Sequence, residues 1–216
     1  MVFRTLAIKY FSDKTKLVDK LGNTHGHCYD ITYDSIFEKF NKNYEYNILE
    51  IGIGLGGHYS GMIKTFPEYS QGASLKIWAE YFMNSNIYGW DIYKCNYIDN
   101  RRIKTYIIDA TNKIQIDTFF NQTSNITFDI IIDDGSHDIN DQVNSFMLLY
   151  NKLNINGVYI IEDILENNIE LFQNLNAFPD LFKENIINKN FSIKYYDTRK
   201  ESGNSNDFII TITRII

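Results

Sequence analysis

Five short apolar runs recur along the chain, at residues 47–51 (NILEI), 86–92 (NIYGWDI), 103–108 (IKTYII), 128–133 (FDIIID) and 157–162 (GVYIIE). Continuous apolar runs of this length are the mark of parallel strands buried on both faces. Between them the pattern changes period. Residues 74–82 (SLKIWAEYF) can be helical, and within 140–153 the side chains of Val143, Phe146, Met147 and Tyr150 fall on one helical face. Strands alternating with helices imply right-handed βαβ units and a doubly wound sheet. The chain closes differently: residues 191–196 (FSIKYY) and 207–213 (DFIITIT) flank a polar loop containing Gly203, the pattern of a terminal antiparallel pair. The expected fold is therefore α/β, a Rossmann-like doubly wound seven-stranded sheet in the order 3-2-1-4-5-7-6 with the last strand antiparallel. Residues 1–45 precede the first strand and are expected to form a helical cap or lid on a ligand-binding domain spanning 46–216.

Composition narrows the function. A length of 216 residues suits one core, and 15% aromatics supply material for it. The net charge of −6 disfavours a nucleic-acid partner, which would need a basic face. No run of 18 apolar residues exists, so no membrane span is expected, and the N-terminal apolar stretch is too short and interrupted for a signal sequence. The two cysteines, Cys28 and Cys95, form no CxxC pair, which argues against zinc or a disulfide framework. A cytoplasmic protein is expected. Tyr10, Phe11, Tyr81 and Phe82 read as exposed and leave room for a homo-oligomer.

The first strand runs into glycines. Gly52, Gly54 and Gly57 satisfy GxGxxG, so a nicotinamide dinucleotide and an oxidoreductase activity are one reading. Two features favour S-adenosylmethionine. Glu50 stands just before the glycines, where a carboxylate repels a pyrophosphate but suits a cofactor carrying an ammonium and a sulfonium. No helix N-terminus is expected directly at the glycines to hold phosphate; the next helix is expected to start near Ser74, a candidate N-cap. Asp91, ending the second strand, is placed to accept bonds from both ribose hydroxyls, and it lies beyond the roughly 20-residue dinucleotide spacing. Asp109, after the third strand, is placed to reach the adenine edge.

A second group of acids follows. Asp133 and Asp134 end the fourth strand ahead of Gly135, Ser136 and His137, and Glu162 and Asp163 end the fifth. In the expected order these strand ends are neighbours, about 4.8 Å apart, on the edge where such folds bind ligands. Carboxylates meeting there call for a cation, and oxygen ligands without Cys favour Mg²⁺, or else Mn²⁺ or Ca²⁺. A metal held by Asp134, Glu162 and Asp163 could bind two adjacent hydroxyls and acidify one, with His137 as the base. The bland alternative makes Asp133 a turn cap and His137 a surface residue. A non-catalytic binding module and nucleic-acid methylation also stand as alternatives; the latter is disfavoured by the acidic balance and by the lack of an N/D-PP-Y/F loop.

The segments YNILEIGIGLGG, QGASLKIWAEYF, IYGWDI, FDIIIDDGSH and GVYIIEDI resemble the metal-dependent sugar O-methyltransferases of the macrocin and mycinamicin type, class I S-adenosylmethionine-dependent enzymes that modify macrolides. The earlier DKLGNTHGHCYDITYDSIFE is also similar to that group. The likeness runs from about residue 19 to 165. It implies S-adenosylmethionine bound by Glu50, Gly52, Gly54, Asp91, Asp109, Asp133 and the loop ending at Ser74, with Tyr29 contributed from the N-terminal segment. It also implies a divalent metal, Mg²⁺ or Mn²⁺, at Asp134, Glu162 and Asp163, with His137 as base. The acceptor implied is a small molecule bearing a sugar, a methyltransferase substrate without a sugar being the alternative. Larger members carry a further N-terminal domain, which this chain is expected to lack, and residues 164–180 match no pattern of the group.

Overall fold

The structure is a computed structural model that describes residues 2–54, 63–94 and 98–216. Gly57 and Cys95 lie outside the described residues. Helix α1 (Val2–Lys9) leads into a small hairpin, β1 (Leu17–Val18) and β2 (Thr24–His25), then α2 (Tyr29–Ile36). The larger sheet follows, with β3 (Asn47–Ile51), β4 (Asn86–Asp91), β5 (Ile103–Ile107), β6 (Phe128–Asp133), β7 (Leu153–Ile161), β8 (Phe191–Asp197) and β9 (Phe208–Arg214). Its order is β5-β4-β3-β6-β7-β9-β8, which counted from β3 is 3-2-1-4-5-7-6. Pairing is parallel from β5 to β7, and β9 runs antiparallel to both β7 and β8. This is the Rossmann-like sheet that the apolar runs predict. β7 begins earlier than expected, because Leu153 already pairs with Phe128 ahead of a shift in register.

Helices α3 (Ala73–Tyr81), α4 (Lys113–Gln122) and α5 (Ile139–Leu149) connect the strands, with α6 (Ile169–Gln173) and α7 (Asp180–Ile187) before the closing pair. The loop between β8 and β9 holds one further turn, α8 (Arg199–Ser202), closed by Gly203 at φ 73°. The expected cap at Ser74 is a correction: the N-cap is Gly72, at φ 66°, and the Ser74 hydroxyl turns inward. By contrast α5 starts with an ordinary carboxylate cap, Asp138 accepting from the amides of Asn140 and Asp141.

Alternation along the strands sorts side chains onto two faces. Ile48, Ile87, Ile130, Ile132, Val158 and Ile160 face α1, α2 and α3, where Phe3, Tyr33, Phe37 and Trp78 pack among them. Leu49, Ile51, Trp90, Ile131, Tyr159 and Ile161 face the other layer, built from α4 to α7 around Phe119, Phe146 and Phe182. The N-terminal helices therefore supply much of one core layer, with Phe3 stacked on Tyr33 at 4.8 Å. Tyr81 and Phe82 are 3% and 0% exposed. The reading of them as surface aromatics is corrected: Tyr81 packs against Phe3 of α1, and Phe82 against Phe37, Phe40 and Tyr46. Among the described residues no helix is long and apolar enough to cross a membrane.

At the edge of the sheet the turns after β3 and β6 cross closely. Gly52 has φ 76°, and a Cβ there would collide with the Asp134 carbonyl. Gly203 is also left-handed but has open space around it. Gly52→Ala should therefore lower stability by roughly 2–4 kcal/mol in urea unfolding, and Gly203→Ala by about 1 kcal/mol. Equal effects would remove the steric explanation.

Candidate active site

The register of three adjacent strands decides which acids meet. Glu50 on β3 lies opposite Ile132 on β6, which lies opposite Ile160 on β7. Glu50 has the parity of Ile48, Asp134 that of Ile132, and Glu162 that of Ile160. All three thus turn to the face of α1 to α3, at the carboxyl ends of the strands. There they meet Lys14, from the segment between α1 and the hairpin. Its ammonium lies 2.7 Å from Asp134 Oδ2 and 3.4 Å from Glu50 Oε1, and it donates to Glu162 Oε2. The Lys14 side chain is only 2% exposed.

Around this ammonium two further oxygens accept from neutral donors. Glu50 Oε2 accepts from Ser74 Oγ at 2.6 Å and Trp78 Nε1 at 3.0 Å. Glu162 Oε1 accepts from the Tyr33 hydroxyl. Burial opposes the charge of Lys14, but the surrounding carboxylates, Asp134 and Glu162 foremost, outweigh it and hold the ammonium well above the ordinary lysine range. Burial likewise pushes Glu162 well up and Glu50 to about 7. For Asp134, burial is outweighed by Lys14 and then His137, and its carboxyl falls below the usual range.

Next to this cluster, outside the strand ends where the crossovers reverse, opens a cavity of about 460 Å³. Asp91, Asp109, Gly52 and Gly54 line one part, and Asp133, Asp134, His137 and Asp163 another. Asp91 is fixed by two amides, Ile53 N on Oδ2 and Tyr93 N on Oδ1, both at 3.0 Å. Asp109 Oδ1 accepts from the amide and hydroxyl of Thr111, at 2.8 and 2.7 Å. Asp133 has the opposite parity to Asp134 and turns to α5, where it accepts from Ser145 Oγ and, at 3.1 Å, from Tyr159. Burial lifts its carboxyl to about 6.

The expected residues thus divide. Glu50, Ser74 and Glu162 form a buried layer behind the cavity wall rather than lining it, because the Lys14 ammonium and the hydroxyls of Ser74 and Tyr33 occupy their polar atoms. Tyr29, 1% exposed, donates its hydroxyl to Asp163 Oδ1. A metal-capable group among the described residues is Asp134, His137 and Asp163, with ligand atoms all within 4.8 Å of one another. The carboxylates of Asp134 and Asp163 supply oxygens that suit a hard cation, and His137 Nδ1, a buried nitrogen without a hydrogen-bond partner 3.7 Å from Asp163 Oδ2, stands beside them with a lone pair to take a proton. His137 reaches this place because it precedes the Asp138 cap with φ 60°.

Two residues escaped sequence reasoning. Lys14 stands in a polar stretch that reads as solvated, and its only sequence signal is the need of the acid cluster for a cation. The other is His27. Its Nδ1 lies 2.6 Å from Asp207 Oδ1 and 3.4 Å from Asp163 Oδ1, and its ring stacks on Tyr29. Asp207, just before β9, is fully buried and also accepts from the Cys28 amide at 3.1 Å. Although burial works against the imidazolium, the bond to Asp207 and then the charge of Asp163 raise His27 to about 9. A histidine raised on folding stabilises fully below its unfolded value near 6.5 and loses that contribution as pH rises through about 9. Urea unfolding of the wild type and His27→Gln should therefore differ by up to about 3 kcal/mol more at pH 6 than at pH 10. A pH-independent difference would show that the pair is not an ionic one.

No family model matches the chain. Mycinamicin VI 2''-O-methyltransferase of Micromonospora griseorubida is 33% identical over 160 residues, covering 74% of this chain and 35% of that protein. Demethylmacrocin O-methyltransferase of Streptomyces fradiae is 35% identical over 149 residues, covering 68% of this chain and 34% of that protein. The chain thus spans about a third of the length of these curated relatives. Among solved structures, the MycE methyltransferase of the mycinamycin pathway, in complex with Mg and SAH, superposes with a TM-score of 0.71 at 24% identity. That likeness covers 100% of this chain and 55% of that one. With the strand order, the glycine turn and the acidic edge all in place, the chain has the fold of the class I S-adenosylmethionine-dependent methyltransferases and is a sequence relative of the macrocin- and mycinamicin-type sugar O-methyltransferases.

Proposed function

We propose that the protein is an S-adenosylmethionine-dependent O-methyltransferase acting on a hydroxyl of a sugar or glycoside, assisted by a divalent cation, Mg²⁺ or Mn²⁺. The observation that carries this reading is one cavity joining Asp91 and Asp109 at one end to Asp134, His137 and Asp163 at the other. The first pair suits a ribose and an adenine edge, and the second group suits a hard cation and an acidic hydroxyl. The relatives' activities on mycinamicin VI and demethylmacrocin point to the acceptor class.

In this reading Asp91 holds the cofactor ribose, and Gly52 and Gly54 let the backbone approach the ligand without intervening side chains. Asp134 and Asp163 supply the carboxylate oxygens for the cation, and Tyr29, by donating to Asp163, sets the direction of that carboxylate. A bound divalent cation supplies Lewis acidity toward an acceptor hydroxyl and can hold a neighbouring hydroxyl beside it. His137 stands next to Asp163 and accepts the acceptor's proton on its imidazole. The cavity that Asp91 and Asp109 share with Asp134, His137 and Asp163 would hold the acceptor hydroxyl near the bound cofactor. Lys14, directly behind, holds Asp134 in its ionised form against burial, with His137 adding to the effect.

Calorimetric titration with S-adenosylmethionine and S-adenosylhomocysteine, with and without Mg²⁺, should show binding that Asp91→Ala weakens at least tenfold, a loss of about 1.4 kcal/mol or more. Absence of binding by the wild type would overturn the reading. His137→Gln should retain cofactor affinity within about twofold and lose roughly 10²–10⁴ in turnover against glycosides bearing adjacent hydroxyls. Turnover that survives exhaustive removal of metal would sink the metal-assisted part alone.

A further inference from the structure

The methionine end of the cofactor carries an ammonium, and the acid that the sequence offers to it is Glu50. In the structure that carboxylate is fully buried and turned to Lys14, Ser74 and Trp78. The ammonium therefore needs another acid, and the sheet shows where to look. Asp109 follows β5, Asp91 ends β4, and Gly52 and Gly54 follow β3, in the spatial order β5-β4-β3. A cofactor with its adenine at Asp109 and its ribose at Asp91 brings its methionine chain to the glycine turn. From the other side Asp13, in the segment between α1 and β1, lines the same cavity as Gly52 and Gly54.

Asp13 is half-buried, and its carboxylate makes neither hydrogen bond nor ion pair among the described residues. Its neighbour at the turn is Tyr69, whose hydroxyl lies 2.6 Å from where a Cβ on Gly54 would stand. Burial raises that hydroxyl above its ordinary range, and Asp13 is the foremost of the carboxylates that add to the effect. The backbone that carries Asp13 is fixed: its carbonyl accepts from the His27 amide at 2.6 Å, and the next residue, Lys14, is pinned in the acid cluster. An uncommitted carboxylate on a fixed backbone suits an ammonium, because the charge-assisted bond forms without reordering the chain. We propose that Asp13 is a cofactor-binding residue that holds the ammonium of the methionine end, the role that the sequence suggests for Glu50. The inference rests on the methyltransferase reading above. It makes the N-terminal segment part of the cofactor site: Lys14 occupies Glu50, and the residue beside it supplies the replacement acid.

The test compares two ligands in the wild type and in Asp13→Asn: S-adenosylhomocysteine, titrated by calorimetry, and its deaminated analogue, which keeps the carboxylate and lacks the ammonium, followed by displacement. Asp13→Asn conserves the shape of the side chain and leaves the backbone carbonyl that receives His27. The expected result is a loss of at least tenfold in affinity for S-adenosylhomocysteine and of less than twofold for the deaminated analogue. Asp91→Ala, acting at the ribose, should weaken both ligands alike. Should Asp13→Asn not fold, Asp13→Ser removes the same charge and is held to the same pattern. A loss under tenfold for S-adenosylhomocysteine, or an equal loss for the two ligands, overturns the assignment of Asp13 while leaving the methyltransferase reading intact. Absence of S-adenosylhomocysteine binding by the wild type overturns both.

Discussion

Three carboxylates directed to one point out of contact with water cannot all remain charged without a cation, and in this protein the demand is met from within the chain. Glu50, Asp134 and Glu162 converge because β3, β6 and β7 run parallel in a register that places their ends on one face. Lys14 closes the cluster, Ser74 and Trp78 donate to Glu50, and Tyr33 donates to Glu162. The net worth of such a buried network to stability is small or even unfavourable, but breaking it by removing one partner costs about 3–5 kcal/mol. Its contribution is specificity of placement: with the inner oxygens fixed, Asp134 and Asp163 are presented to the cavity in a defined way.

The same constraint explains how distant parts of the chain come together. The N-terminal segment brings Lys14, His27 and Tyr29 to the strand ends, and the residue just before β9 brings Asp207. Each N-terminal group meets an acid at the sheet edge, Lys14 at Asp134, Tyr29 at Asp163 and His27 at Asp207. The helices that carry this segment are anchored independently by the aromatic layer around Phe3, Tyr33 and Trp78. The apolar layer sets where the segment lies, and the charged contacts set which atoms face the cavity.

Much of this was legible in the chain itself. The five apolar runs and the closing pair fix the sheet, because a strand buried on both faces has to be apolar throughout, and parallel strands have to be joined by helices. The acids at the strand ends follow from the same logic, since a charged residue ending an apolar run lies at the mouth of the sheet. Asp91, Asp109, Asp134, His137 and Asp163 all line one cavity for this reason.

What the sequence left open was the direction of each side chain and the identity of its partner. Glu50 and Glu162 end their strands as the other acids do, and in the structure both contact a lysine from an unremarkable polar stretch. The cap expected at Ser74 is not formed: its hydroxyl is drawn to Glu50, while the helix begins at a left-handed glycine. Tyr81 and Phe82 read as surface residues until the N-terminal segment, through Phe3, Phe37 and Phe40, covers them. Local pattern determines which elements form, because period and turn chemistry act over a few residues. Long-range pairings such as Lys14 with Glu162 or His27 with Asp207 are settled only when the packed layers bring the ends of the chain to one edge.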